Sequence, residues 1–397
     1  MIDAPAAPPS HVTGDGIGFA PNAEQRLAVD SFRRFLSSEF AAFVTDAGDR
    51  LVTRDALAHW LGACSAFGMC GGKVRPDHGG DGLDWLSFGL LFEELAAVSM
   101  DFAGAAFIQS MAANLIDAIA PEPLRRAYLP DLITARRIAS IGISEPGAGS
   151  NIAEIACRAE PCAGGYRLTG TKIWITNGGH ADLNLCLARV GPAANDLDLF
   201  LVERADGFSA REIATLGWRA TSTAQLTFDQ AWVPEARRLT HGSQGLRTFA
   251  TLFAAARPLV GLASVGVARA ALDRAISYGQ TRVQHGKPIA AHQLIQAKIA
   301  NMAVEVDAAR LLCWRALAII DAGGRGDVEA AMAKLYATEA GVRVTSDAVQ
   351  IHGSNGIAVD TGIERLFRNA RMATMPEGTT ELQQLIIGRG LTGVRAF

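Results

Sequence analysis

The sequence predicts an α+β protein, mostly α, in which a helical unit, a β unit and a longer helical unit follow one another. Three observations carry this. Apolar residues recur at threes and fours over 21–137, short apolar strands between Gly and Asp turns fill 138–243, and helical periodicity returns and lengthens over 244–397. A chain of 397 residues is too long for one average domain. Neither an internal repeat nor a βαβ alternation is present.

Residues 1–20, rich in Pro and Ala, are expected as a flexible tail, without the basic start and apolar core of a signal peptide. In the first helical unit Leu27, Phe32, Phe35, Leu36 and Phe40 keep a helical spacing, as do Leu86, Leu90, Leu91 and Leu95. Its breaks are Pro76-Asp77-His78-Gly79-Gly80-Asp81-Gly82 and Pro121-Glu122-Pro123. In the middle unit Tyr166 to Thr176 reads as a hairpin, and Leu183 to Val190, Leu197 to Glu203 and Thr223 to Phe228 as further strands, together a barrel or a sandwich. The last unit has helical stretches near 245–280, 289–321 and 328–350, separated by Gly286-Lys287-Pro288 and Gly323-Gly324. Three or four such helices make an antiparallel bundle, and apolar surface on more than one face predicts a further layer from other subunits.

Hydrophobic residues make up 49% of the chain and charged residues 19%, which fits large cores or subunit interfaces. A formal net charge of −3 gives no broad pull towards nucleic acid or acidic membranes. No uninterrupted apolar run reaches about 18 residues, so no membrane span is expected. The six cysteines (Cys64, Cys70, Cys157, Cys162, Cys186, Cys313) have no metal-ligand spacing and read as buried thiols of a cytoplasmic protein. The histidines form no HExxH or close cluster, so no metal site is expected.

Chemistry concentrates in three stretches. Met375-Pro376-Glu377-Gly378-Thr379-Thr380-Glu381 sets a carboxylate on a turn just before a helix. In an apolar pocket Glu377 would become a base competent near neutral pH, whereas on an open surface it would only complement a helix dipole. Ile143-Ser144-Glu145-Pro146-Gly147-Ala148-Gly149-Ser150-Asn151 offers glycines and free N–H groups to phosphate oxygens, or is a plain surface turn. Trp174-Ile175-Thr176-Asn177-Gly178-Gly179 puts an aromatic and a hydroxyl on one strand face, or buries a core Trp. The adjacent Glu93 and Glu94 point about 100° apart, so one is expected to edge the pocket and the other to be solvated. Gly14-Asp15-Gly16-Ile17-Gly18 has no strand before it and is read as tail rather than nucleotide loop.

EPGAGS, WITNGG and EGT in this order resemble the acyl-CoA dehydrogenase family of flavoproteins. Pro76 with Gly79-Gly80-Asp81-Gly82, Arg282 with Gly286-Lys287-Pro288-Ile289, and Gln350-Ile351-His352-Gly353-Ser354-Asn355-Gly356 agree with it, so the likeness runs from about residue 21 to 392. The resemblance implies an α-helical N-terminal domain (21–137), a β-barrel middle domain (138–243) and a C-terminal four-helix bundle (244–397), with FAD as cofactor and a homotetramer built as a dimer of dimers. It implies that Ile143, Ser144 and Thr176 meet the flavin ring, Trp174 lies against one face, and Gly149 and Ser150 serve the pyrophosphate region. Arg282, Gln284, His285, Gln350, Gly353 and Ser354 would reach the FAD of a neighbouring subunit, and Thr379 would bond the cofactor too.

Glu377 takes the position of the family's catalytic base, removing the α-proton of an acyl thioester as a β-hydride passes to flavin N5 to leave a trans-2-enoyl thioester. The Glu377 N–H would polarise the thioester carbonyl, and Arg257 matches an active-site arginine. An electron-transferring flavoprotein is the implied acceptor. Three departures from the family pattern stand out. Pro376 replaces a common aromatic, Ala254 replaces an Asp that assists carrier binding, and Asn151 replaces an Asp. Ala254 leaves room for an acyl group on a carrier protein instead of CoA. The alternatives are a flavin-dependent oxidase or monooxygenase on the same fold, the latter disfavoured by Glu377. More remote is a flavin-containing nucleic-acid-binding relative, which wants a basic patch that the charge does not supply.

Overall fold

The computed structural model describes residues 21–242 and 244–394, the side chains of 246 and 249–253 excepted. The tail expected over 1–20 lies outside the described residues. The first unit is six α-helices: α1 (Ala23–Phe35), α2 (Ala41–Ala47), α3 (Arg54–Ser65), α4 (Trp85–Val98), α5 (Met100–Ile119) and α6 (Glu122–Ile133). Polar caps set the starts. Asn22 and Gln25 form a reciprocal capping box on α1, Thr53 caps α3, Asp84 caps α4, and Ser99 caps α5 where α4 ends.

Between α1 and α2 the chain makes a π-turn over Leu36–Phe40. Ser38 leaves helical geometry there at φ −84 and ψ −126, so the chain kinks, and Phe32, Leu36 and Phe40 all reach the core. Leu27, of the same sequence pattern, is exposed. Helix α5 has the length and hydropathy to cross a bilayer, but 72% of that window is buried inside the protein. Its apolarity serves the core.

The middle unit is a seven-stranded curled sheet of β1 (Ala139–Gly142), β2 (Arg158–Cys162), β3 (Gly165–Thr176), β4 (Leu183–Arg189), β5 (Leu197–Glu203), β6 (Phe208–Glu212) and β7 (Thr223–Pro234). Strand β4 organises it. One edge of β4 pairs along its length with antiparallel β5, while β1 (at 183–186) and β2 (at 189) also pair with β4, both in parallel. The stretch read as a hairpin over 166–176 is instead one continuous strand, β3, paired with β2 on one side and β7 on the other. Register shifts at Leu168/Gly170 and Lys172/Ile175 bend it. Gly170, at φ +154, is needed at the first, because a Cβ there would sit 2.6 Å from the Cys157 Cα. The short strands β1, β2 and β6 carry too few apolar residues to be read from alternation.

The last unit holds α7 (Gly245–Thr281), the ribbon β8 (Val283–Gln284) and β9 (Lys287–Pro288), α8 (Gln293–Asp321), α9 (Asp327–His352), α10 (Ile363–Met372) and α11 (Thr380–Thr392). Helices α7, α8, α9 and α11 are its main helices, and α10 packs across α7 and α9. Two cores result. One joins the first and last units, with α4 against α7 and α8; the other fills the sheet and includes the C-terminal half of α5 and part of α6.

The carboxylates of Glu93 and Glu94 on α4 behave otherwise than expected: both are buried at the seam between the helical units, and both are paired. Glu93 accepts from Arg310 Nη2 at 2.9 Å and Nε at 3.1 Å. Glu94 accepts from Arg33 at 2.8 Å through two nitrogens and from Arg269 Nη2 at 2.7 Å. Arginines from three other helices converge there, so neither carboxylate is left for solvent or a pocket edge. Among the cysteines Cys162 is exposed, correcting the expectation of six buried thiols, because β2 presents most of its residues outward.

Candidate active site

The turn between α10 and α11 places Glu377 in the left-handed region at φ 57, a conformation costing a non-glycine residue roughly 1–2 kcal/mol. Gly378 follows at φ 93, where a Cβ would meet Gln383 Nε2 at 2.7 Å and Leu382 Cδ2 at 2.9 Å. Two buried side chains hold the turn from behind. Lys334 Nζ, on α9, donates to Gly378 O at 2.6 Å and Thr374 O at 3.2 Å. Gln383 Nε2, on α11, donates to Glu377 O at 3.1 Å and Gly378 O at 2.9 Å. Thr379, at extended φ −62 and ψ 166, is the N-cap residue of α11, and Thr380 Oγ1 ties the helix start to Glu339 of α9 at 2.6 Å.

The Glu377 residue keeps partial exposure, yet its Oε2 is sealed from solvent without a hydrogen-bond partner. Burial pushes its pKa from an ordinary 4.5 up to about 7, and the nearby cations of Arg257 and Lys334 offset that only in part. Arg257 sits on α7 beside Pro258, which cannot donate to the Ala254 carbonyl. Its own pKa is lowered by burial against the pull of Glu377 and Asp327, and its Nε has no partner among the described residues. Burial likewise lowers Lys334, to about 8. The site is a desolvated carboxylate with two desolvated cations near enough to act on it.

On the sheet, the loop from Ile143 to Ser150 is pinned by a buried ion pair. Lys172 Nζ donates to Glu145 Oε1 at 2.7 Å and Ile143 O at 3.0 Å, and Glu145 also accepts from the N–H groups of Ala156 at 2.7 Å and Cys157 at 3.0 Å. Ser144 O accepts from Ile173 N at 2.9 Å, which sets the loop beside β3. Gly149 and Ser150 are exposed, and a Cβ at Gly147 or Gly149 would meet nothing within 4 Å. Trp174 lies in the second bulge of β3 at φ 63 and is 60% exposed, while Thr176 is half-buried. The bulge interrupts the alternation from which a shared face for the two was read.

Arg282 ends α7, and His285 and Gly286 turn the β8–β9 ribbon with φ 50 and 74, a type I′ pattern. Tyr278 stacks on His352 at 4.4 Å and its hydroxyl accepts from Asn355 Nδ2 at 3.0 Å, so the ends of α7 and α9 lie together. Arg282, Gln284, His285, Gln350, Gly353 and Ser354 are all exposed around these ends. A cavity of about 410 Å³ opens there between Arg274, Tyr278, His352 and Thr361, and neither Glu377 nor Arg257 lines it. Among the described residues no group of three or more His, Cys, Asp or Glu could hold a metal ion.

Lys334 and Gln383 escaped the sequence reading. The signal for Lys334 was present as a single cation in Ala330-Ala331-Met332-Ala333-Lys334, on a helix too apolar for it to be decorative. Gln383 carried none, since a polar residue near a helix start is ordinary.

Comparison with known proteins follows the three units. Residues 22–136, 140–231 and 243–392 match the N-terminal, middle and C-terminal domains of acyl-CoA dehydrogenase respectively. An acyl-CoA dehydrogenase of Bacillus subtilis is 35% identical over 331 residues, 82% of this chain and 87% of that protein. Benzylmalonyl-CoA dehydrogenase of Aromatoleum aromaticum is 34% identical over 370 residues, 92% and 97% of the two. Among solved structures, a glutaryl-CoA dehydrogenase from Mycobacterium smegmatis in complex with FADH2 superposes with a TM-score of 0.89 at 28% identity, covering 95% of this chain and 96% of that one. The prolyl acyl carrier protein oxidase AnaB superposes at 0.88 with 27% identity, covering 94% and 100%.

Fold and matches together define an FAD-dependent oxidoreductase. The chain belongs to the acyl-CoA dehydrogenase family. The residues present fit the cofactor: a glycine loop with open space above it, a tryptophan left exposed on a bulge, and an exposed arginine at the end of α7.

Proposed function

We propose that this enzyme oxidises a saturated acyl thioester to its 2-enoyl thioester, with Glu377 as the base. The observation that carries the reading is the sealed, unpartnered Oε2 of Glu377 on a strained turn, raised to about 7 by burial. A carboxylate desolvated in this way takes a weakly acidic α-proton far better than a solvated one. Bound FAD supplies the two-electron acceptor for the hydride leaving the β-carbon, and Ile143, Ser144, Gly149, Ser150, Trp174, Thr176 and Thr379 are the residues we assign to holding it.

The chain's own contribution is proton handling and charge. Among the described residues nothing accepts from the Glu377 N–H, so it is free to donate to a thioester carbonyl and stabilise the oxygen as the α-proton leaves. Arg257 lends positive charge to the same pocket. Since the base must be ionised, turnover is expected to rise as pH increases through about 7.

CoA is the carrier suggested by most relatives. Ala254 supports a second reading, a carrier-protein-bound acyl group, and the likeness to a prolyl carrier-protein oxidase points the same way. Exposed apolar side chains on the last unit, among them Leu294, Val304, Leu311, Ile357, Val359 and Leu391, support a homotetramer in which Arg282, Gln284, His285, Gln350, Gly353 and Ser354 reach a neighbour's FAD. An electron-transferring flavoprotein is the proposed acceptor and the cytoplasm, where free thiols persist, the proposed compartment. Anaerobic mixing of the yellow protein with acyl-CoA and acyl-carrier-protein thioesters tests the reading. The thioester that bleaches the flavin band names group and carrier, and a panel with no bleaching refutes the reaction.

A further inference from the structure

We propose that Lys334 is a positioning residue for the base. Its ammonium bridges the carbonyls of Thr374 and Gly378, on either side of Glu377, and so fixes where the carboxylate and its neighbouring N–H point. The inference rests on Glu377 being the base.

The turn has little else to hold it. Backbone hydrogen bonding is sparse there: residues 376–377 form one turn, and the well-formed bonds nearest it join Met375 to Met372 and Gln383 to Thr379. Glu377 nonetheless occupies a left-handed conformation that it would leave if free. The carbonyls of 374, 377 and 378 are all taken from behind, by Lys334 and Gln383. This sorts the polarity of the turn: the oxygens face the two buried donors, while the Glu377 N–H and Oε2 have no partner among the described residues. Pro376 has no N–H to add.

Lys334 is fully buried, and its partners among the described residues are two carbonyls and no carboxylate. An ammonium so placed loses its hydration and recovers only what the two carbonyls give. Helix α9 is otherwise lined with Ala330, Ala331, Ala333 and Ala337 at this level, so packing alone would accept an apolar side chain. The charged groups around it are Glu377, Arg257 of α7, Glu339 of its own helix and Glu381 of α11; Glu377 itself feels Arg257 and Lys334. Removing the ammonium therefore loosens the turn and takes away one of two cations that favour the ionised base. The acid limb of the pH profile must then move upward.

The test is Lys334→Met beside Lys334→Arg in FAD-loaded enzyme, with backbone amide exchange as a readout independent of turnover. For Lys334→Met, exchange of the Met375 and Gln383 amides, the bonded ones on either side of the turn, is expected to quicken about tenfold or more with α7 and α9 unchanged. The rate of flavin reduction at saturating thioester should fall about tenfold or more, KM staying within about threefold, because a misplaced base costs rate rather than binding. The acid limb should shift to higher pH, and Lys334→Arg should restore it. Native exchange together with a native acid limb in Lys334→Met overturns the proposal. Should that variant not fold, Lys334→Gln keeps a donor without the charge: an acid limb moved to higher pH supports the proposal, and a native acid limb with native exchange of the Met375 and Gln383 amides overturns it. If Glu377→Gln still bleaches at the native rate, the base assignment fails, whereas the exchange result still decides whether Lys334 holds the turn.

Discussion

Glu93 and Glu377 are both buried carboxylates with two basic side chains nearby, and they end in opposite states. Burial pushes each towards the neutral acid. At Glu93 the ion pairs with Arg310 and Arg269 outweigh it and hold the pKa below the usual carboxylate range. At Glu377 the cations of Arg257 and Lys334 are close enough to be felt but form no hydrogen bond to it, and burial wins. Burial therefore does not make a base. What makes one is burial without a hydrogen-bonded counter-ion, and here Lys334 spends its donors on carbonyls instead.

The sharpest way to break the contrast is Glu377→Gln, which keeps the shape and removes the proton acceptor. Flavin reduction by the thioester should slow on the order of 10³–10⁴-fold while the flavin spectrum is retained; a native rate in stopped-flow would show that another group is the base. Next in size is Glu93→Gln, which takes a carboxylate from Arg310 and Arg269 and leaves them Asp307 and Glu94, each at 2.7 Å. Denaturant unfolding should show a loss of roughly 3 kcal/mol at neutral pH. That difference should shrink as acid protonates the native Glu93, since a lowered carboxylate contributes its stability only while ionised.

Glu377→Gln should have the opposite sign. The unfolded chain ionises near 4.5 and the folded protein near 7, so native stability is spent as pH rises through that window. Above it, the Gln variant should be more stable than the native enzyme by roughly 3 kcal/mol, with the gap closing below about pH 4.5. The smallest effect belongs to Arg33→Ala. Arg33 is half exposed and Glu94 keeps Arg269 at 2.7 Å, so thermal unfolding should register about 1 kcal/mol or less. A large loss there would mean that the cluster acts as one unit, not as separable pairs.

Much of this layout was legible in the sequence because it rests on local pattern. The switch from helical spacing to short strands and back gave three units, and Leu197 to Glu203 is a strand over the residues read. The turn carrying Glu377 was visible from Pro and Gly. What was hidden depends on distant chain. The single strand β3 was taken for a hairpin because Gly170 looks like a turn residue, whereas it is the close approach of Cys157 that requires it. Glu93 and Glu94 looked half solvated because their arginines lie far along the chain, Arg310 being 217 residues from Glu93. Lys334 was missed for the same reason: its partners are carbonyls of a turn more than a helix away.

The shared core of the first and last helical units has a consequence for how the protein is made. The apolar face of α4, with Phe88, Leu91 and Phe92, leaves the ribosome long before α7 and α8, which cover it. The whole sheet is synthesised in between. An early intermediate must keep that face waiting, with Glu93 still lacking Arg310 and Arg269 and Glu94 holding only Arg33. Translation speed and chaperone access over the middle segment are therefore expected to govern yield more than the stability of the finished fold.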